Sequence, residues 1–132
     1  GNYFDEPNKL TRINPATLTA ETVATASQIL FSVGSDRVYA YCATQENWVV
    51  TEKRIDTYPT AFGNVTASAF LPDEQTPADV YSLSANPADN SLYVGSTDYN
   101  TYGSFTAFAA DGSTLAHHGL SSINPQGAWF VR

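Results

Sequence analysis

Three short stretches of the chain set aromatic rings beside carboxylate or amide groups: Tyr3-Phe4-Asp5-Glu6, Gln45-Glu46-Asn47-Trp48 and Asp98-Tyr99-Asn100-Thr101-Tyr102. Such a mixture suits sugar rings, whose C–H faces stack on aromatics while their hydroxyls bond to acids and amides. It equally suits a protein partner anchored by Tyr and Trp. On this chemistry Tyr3, Asp5, Trp48, Asp98, Tyr99 and Tyr102 are the candidate ligand-binding residues. The competing reading is structural: Trp48 and Tyr102 pack beneath their own loops, and Asp98 holds a turn through its own backbone.

Other reactive side chains are less well placed. His117 and His118 are adjacent, and neighbours on a strand point to opposite faces, so they cannot chelate one ion together. Cys42, the only cysteine, lies in "RVYAYCA" and reads as a buried small hydrophobe without a partner base. It also excludes an internal disulfide. The thirteen acidic residues are scattered, with no calcium-loop pattern, and "PDEQTPAD" at 72–79 reads as a solvated connector. Ser113, Ser121 and Ser122 lack a nucleophile-elbow context. Asn64-Val65-Thr66 is a formal glycosylation sequon. No catalytic residue, metal site or cofactor is expected, and the chain reads as a non-enzyme.

Composition narrows the partners. At 132 residues, 42% hydrophobic and 13% aromatic, the chain can bury one packed core. A net charge of −7, from six basic against thirteen acidic residues, opposes binding to nucleic acid. No apolar run is long enough to span a bilayer, and the chain as given reads as soluble. The absence of methionine, together with a start at Gly1-Asn2-Tyr3, suggests a segment of a longer protein.

The elements that must carry these loops are strands. "ILFSVGSDRVYAYCAT" reads as two strands around Gly34-Ser35-Asp36, and "VYSLSANPADNSLYVGS" repeats that hairpin around Asn86-Pro87-Ala88-Asp89-Asn90. Two further strand candidates follow each hairpin, "VVTEKRID" and "NVTASAF" in the first case, "SFTAFAAD" and "STLAHHG" in the second. A helix over "PATLTAETVATASQIL" is the main rival, but its threonines are poor helix formers and strands are preferred there. Val38-Tyr39 matches Leu92-Tyr93 and Arg54-Ile55-Asp56 matches Ala107-Phe108-Ala109, an offset of about 53 residues. "NKLTRINPATLTAETV" aligns over "GSFTAFAADGSTLAHHG", with Leu10 on Phe105 and Ile13 on Phe108, so the N-terminus is expected to supply the third and fourth strands of a unit.

These repeats resemble those of YVTN-type and NHL-like β-propellers. "LSANPADNSLYVGSTD" is similar to their apolar strand, Asn-Pro or Asp-Pro turn and "LYV" strand, and "SFTAFAADGSTLAH" to the hairpin that follows. The resemblance is strongest over residues 78–131 and weak before residue 30. It implies an all-β fold: a β-propeller fragment of four-stranded antiparallel blades, about two full blades plus a composite third. The expected units are residues 1–27 (a partial blade), 28–77 and 78–122 (blades) and 123–132 (a closing strand that places Trp129 and Phe130 in or beside the core).

The resemblance also places the three aromatic loops, as connections between the second and third strands of a blade, on the face where propellers usually bind ligands. It implies a binding or adhesion module of a secreted or surface-anchored bacterial protein, located outside the cell or at its surface, whose ligand is a glycan or a cell-surface protein. The alternative is a propeller-type enzyme or subunit whose catalytic residues lie on blades absent here. Two copies arranged around a two-fold axis would complete a six-bladed ring, so a homodimer is expected.

Overall fold

The computed structural model describes residues 6–61 and 66–131. Tyr3, Asp5 and the sequon at Asn64 fall outside them. Among the described residues every regular element is a strand: β1 (Asn8–Ile13), β2 (Ala20–Ala26), β3 (Gln28–Val33), β4 (Arg37–Glu46), β5 (Val49–Pro59), β6 (Ser68–Leu71), β7 (Val80–Ala85), β8 (Leu92–Ser96), β9 (Ser104–Phe108) and β10 (Thr114–Gly119). The threonine-rich stretch that rivalled a helix forms β2 and β3, as its β-branched residues favour.

The strands form three antiparallel sheets. β1 and β2 make a hairpin, β3-β4-β5-β6 a middle sheet, and β7-β8-β9-β10 a C-terminal sheet. Both larger sheets are four-stranded meanders in chain order, the arrangement of a propeller blade, and the protein is an all-β propeller fragment.

The sheets stack face to face, and the middle one is covered on both sides. Residues 39–43 of β4 are therefore buried without interruption. Alternation sends Tyr39, Tyr41 and Ala43 toward Leu92, Val94 and Phe108 of the C-terminal sheet. It sends Ala40 and Cys42 toward Leu10, Val23, Ala24 and Ala26 of the hairpin. Polar bonds fix the first of these interfaces: the Ala85 amide donates to Ser32 Oγ (2.9 Å), and the Tyr39 hydroxyl donates to the Asn90 carbonyl.

The first hairpin differs from its expected place in the repeat. In the β1–β2 turn the Asn14 amide donates to the Thr19 carbonyl (2.9 Å), the Leu18 amide to the Asn14 carbonyl (2.8 Å), and the Ala16 amide to Asn14 Oδ1 (2.9 Å). The β7–β8 turn repeats all three bonds, from the Asn86 amide to Ser91 O (2.8 Å), the Asn90 amide to Asn86 O (2.9 Å) and the Ala88 amide to Asn86 Oδ1 (3.0 Å). Leu18 and Asn90 even share a φ of 58°. "NPATLT" and "NPADNS" are the same turn, so β1–β2 corresponds to the first and second strands of a unit. Its packing agrees, with β1 beside β3 and β2 on β4. The alignment to the third and fourth strands rested on apolar alternation, which every half-buried strand shares.

The C-terminal segment also departs from expectation. Residues 120–131 form no strand, and Trp129 is 91% exposed. Phe130 alone meets a ring, that of Tyr93, with centroids 5.1 Å apart. The physical reason lies on the outer face of the C-terminal sheet, where serines capture the backbone of this segment. Ser82 Oγ donates to the Pro125 carbonyl, and the Ala128 amide donates to Ser84 Oγ (2.8 Å). The segment thus lies across a sheet face and does not pair with an edge. Close approach needs glycine at position 103, where a Cβ would stand 2.6 Å from the Ile123 carbonyl oxygen and 2.9 Å from that of Ser96.

Candidate functional site

Of the nominated residues that the structure describes, Trp48 sits at the tip of a projecting ribbon. β3 pairs with β4 only as far as Ala43, whereas β4 and β5 continue together to the Glu46–Val49 pair. Residues 44–52 are all exposed in consequence, forming a two-stranded arm beyond the sheet. The base of the arm is held by the Gln45 amide, which donates to Ser27 Oγ (3.1 Å).

Two residues turn the arm, Asn47 with φ 50° and Trp48 with φ 68°. A two-residue hairpin loop with both φ values positive is a type I′ turn, which favours glycine at its second position. An aromatic residue there is held against its backbone preference, at a cost of about 1 kcal/mol or more. The Trp48 side chain does not fold back to recover that cost by burial, since it remains 72% exposed. The reading in which it packs beneath its own loop is therefore overturned. Val49 and Val50, also exposed, extend the apolar surface of the arm.

The equivalent loop of the C-terminal sheet, between β8 and β9, carries Asp98, Tyr99 and Tyr102. Tyr99 again has a left-handed backbone (φ 62°) and an exposed ring. One edge of that ring is supported by Tyr81, with centroids 5.9 Å apart and planes at 79°. Tyr102 is 72% exposed, so it too lies outside any packing beneath its loop.

Asp98 organises this loop. Its Oδ1 accepts from the amides of Thr101 (2.7 Å) and Asn100 (2.9 Å), and its Oδ2 from the Thr101 hydroxyl (2.9 Å). The Thr101 amide first, then the Asn100 amide and the Thr101 hydroxyl, hold the Asp98 carboxyl below its ordinary range. The turn-holding reading of Asp98 is correct, and the residue shapes the loop that displays Tyr99.

Both loops rise from the same edge of the stack. The opposite edge carries the β3–β4 and β7–β8 turns, which touch through Ser35 and Asn90. Antiparallel strands then bring the β4–β5 and β8–β9 connections to the other rim. The candidate site is an open aromatic rim, with Trp48, Tyr99 and Tyr102 displayed and Asp98 holding the loop that carries Tyr99. Sequence reasoning missed Tyr81, Val49 and Val50. Tyr81 lies on β7, an edge strand of its sheet, whose alternation gives no sign of its contact with the rim.

The remaining reactive groups stay apart. His117 Nδ1 is 3.0 Å from Thr106 Oγ1 on the neighbouring strand. Cys42 is buried, and its burial pushes the thiol pKa up. Among the described residues no group of three or more His, Cys, Asp or Glu side chains is placed to hold a metal ion, and no helix is long and apolar enough to cross a membrane. No protein-family model matches this sequence, and no curated protein does.

Proposed function

We propose that this chain is a non-enzymatic binding module, part of a secreted or surface-anchored propeller protein of the YVTN/NHL kind, and that the aromatic rim takes a glycan. One observation carries the reading. Trp48 and Tyr99 occupy equivalent loops of successive sheets, each with a left-handed backbone and an exposed ring. A strained backbone that displays a large apolar side chain to water lowers stability at two places, and binding gives that cost a use. Exposed rings, one of them braced at its edge by Tyr81, suit stacking on sugar faces.

The test is glycan-array binding by the intact chain and by Trp48→Ala and Tyr99→Ala. A bound glycan should be lost, or weakened by about tenfold or more, in both variants. A glycan bound equally well by both would overturn the site. Val49 and Val50 beside Trp48 favour a second reading, a protein partner gripped by the arm. In that case a cell-surface protein partner would be lost with Val49→Asp as well as with Trp48→Ala.

A further inference from the structure

The loop that displays Tyr99 and Tyr102 is tied to the C-terminal segment by two routes. The Gly103 amide donates to the Ser122 carbonyl (2.8 Å), and the Leu120 amide donates back to the Gly103 carbonyl (2.9 Å). Tyr102 therefore sits one residue from a backbone bridge to a segment outside the strands. Tyr99 is reached through a side chain. Gln126 Nε2 donates to the Tyr81 hydroxyl (3.1 Å), and the Tyr81 ring meets the Tyr99 ring edge-on.

The same segment is seated farther from the rim as well. Val80 pairs with Ser96 and Ser84 with Tyr93, so β7 runs away from the rim, and the segment follows it. Pro125 is buried, and its place depends on Gly95 as well as Gly103, since a Cβ on Gly95 would stand 3.0 Å from Pro125 Cγ. The bond at Ser84 repeats one inside the stack. Ser32 pairs with Tyr39 as Ser84 pairs with Tyr93, and Ser32 Oγ accepts the Ala85 amide of the next sheet (2.9 Å) as Ser84 Oγ accepts the Ala128 amide (2.8 Å). The segment thus occupies the place of a following layer while holding the rim loop from one end.

We infer that residues 120–130 are a brace that positions Tyr99 and Tyr102, so that lifting the segment from the outer face of the C-terminal sheet loosens the rim loop. Its bearing on ligand binding rests on the function proposed above, whereas its hold on the loop does not.

Ser84→Ala and Phe130→Ala act at the far end of the segment. In the isotope-labelled chain without added sugar, each should shift the Tyr99 and Tyr102 ring signals in NMR. Each should also speed hydrogen exchange of the Gly103 and Leu120 amides by about tenfold, roughly the worth of one hydrogen bond, while the Tyr41 and Ile55 amides of the middle sheet keep their rates. Ser84→Thr, which keeps the hydroxyl, should restore both readouts. Changes confined to residues 125–131, or a uniform rise that includes Tyr41 and Ile55, would overturn the inference. A chain that shows these shifts but takes no glycan on the array would keep the brace and sink the binding reading.

Discussion

Under the proposed function, Trp48 bears on stability and binding in opposite senses. Replacing it by glycine turns the arm's loop into the Asn-Gly pair that type I′ turns favour. Trp48→Gly should therefore raise stability by about 1 kcal/mol while abolishing rim binding, as denaturant titration beside the binding assay would read. A loss of stability would mean that the ring is held structurally. The buried hydroxyls and turn carboxylates set the pH range. Desolvation first, then the charges of Asp79 and Asp73, push the Tyr41 pKa from 10.0 up to about 12. The folded state therefore keeps a proton that the unfolded chain releases. This contribution is intact below pH 10 and is lost as pH rises toward about 12. The carboxyls of Asp36, Asp89, Asp98 and Asp111 are lowered from 3.8, chiefly by bonds from Arg37, Ser91, Thr101 and Ser113. Their contribution is present above that value and is lost only as pH falls through the lower folded ones. Thermal midpoints should accordingly be flat from about pH 5 to 9 and fall on both sides.

Between elements, the turns matter more than their lengths suggest. Asn90 ends the β7–β8 turn with φ 58°, and its side chain reaches the β3–β4 turn. There Oδ1 accepts from the Ser35 amide (2.8 Å) and Nδ2 donates to Asp36 Oδ1 (3.0 Å). Asn90→Ala should cost about 2 kcal/mol, and Asn90→Gly, which keeps the backbone freedom and loses the bridge, about half of that. Equal costs in chemical denaturation would show that the backbone conformation contributes nothing. The strands themselves were legible: Val80–Ala85 and Leu92–Ser96 follow directly from alternation bounded by an Asn-Pro turn. The place of the first hairpin was also written in the chain, as "NPA" at 14–16 and again at 86–88. The match of Leu10 to Phe105 outweighed it, because apolar alternation marks a strand without marking which strand. The conformation of Trp48 had no such sign, since Asn-Trp is not a pair that type I′ turns favour. Tyr99 and Tyr102 were identifiable as candidates from residue type, and their exposure was not.

For the whole molecule, the C-terminal segment decides what the last sheet offers to a neighbour. A six-bladed ring of two copies needs both ends of the stack open, yet residues 120–131 lie across one of them through Ser82, Ser84 and Tyr93. Ring closure would have to lift this segment away. Deleting residues 120–132 should uncover that face and promote self-association, which light scattering would report as a rise toward twice the mass of the shortened chain. An unchanged mass would show that the face stays wet without association. The layering also gives the chain an internal clock. Its only thiol, on Cys42, is 2% exposed and lies under the first hairpin, on the side away from the C-terminal sheet. A thiol reagent reaches it only when β1 and β2 lift from the middle sheet, so the labelling rate, divided by that of the unfolded chain, measures the opening equilibrium of this one layer. If labelling outruns global unfolding, the stack comes apart leaf by leaf from its N-terminal end. If the two rates coincide, three sheets of unequal size behave as a single cooperative body.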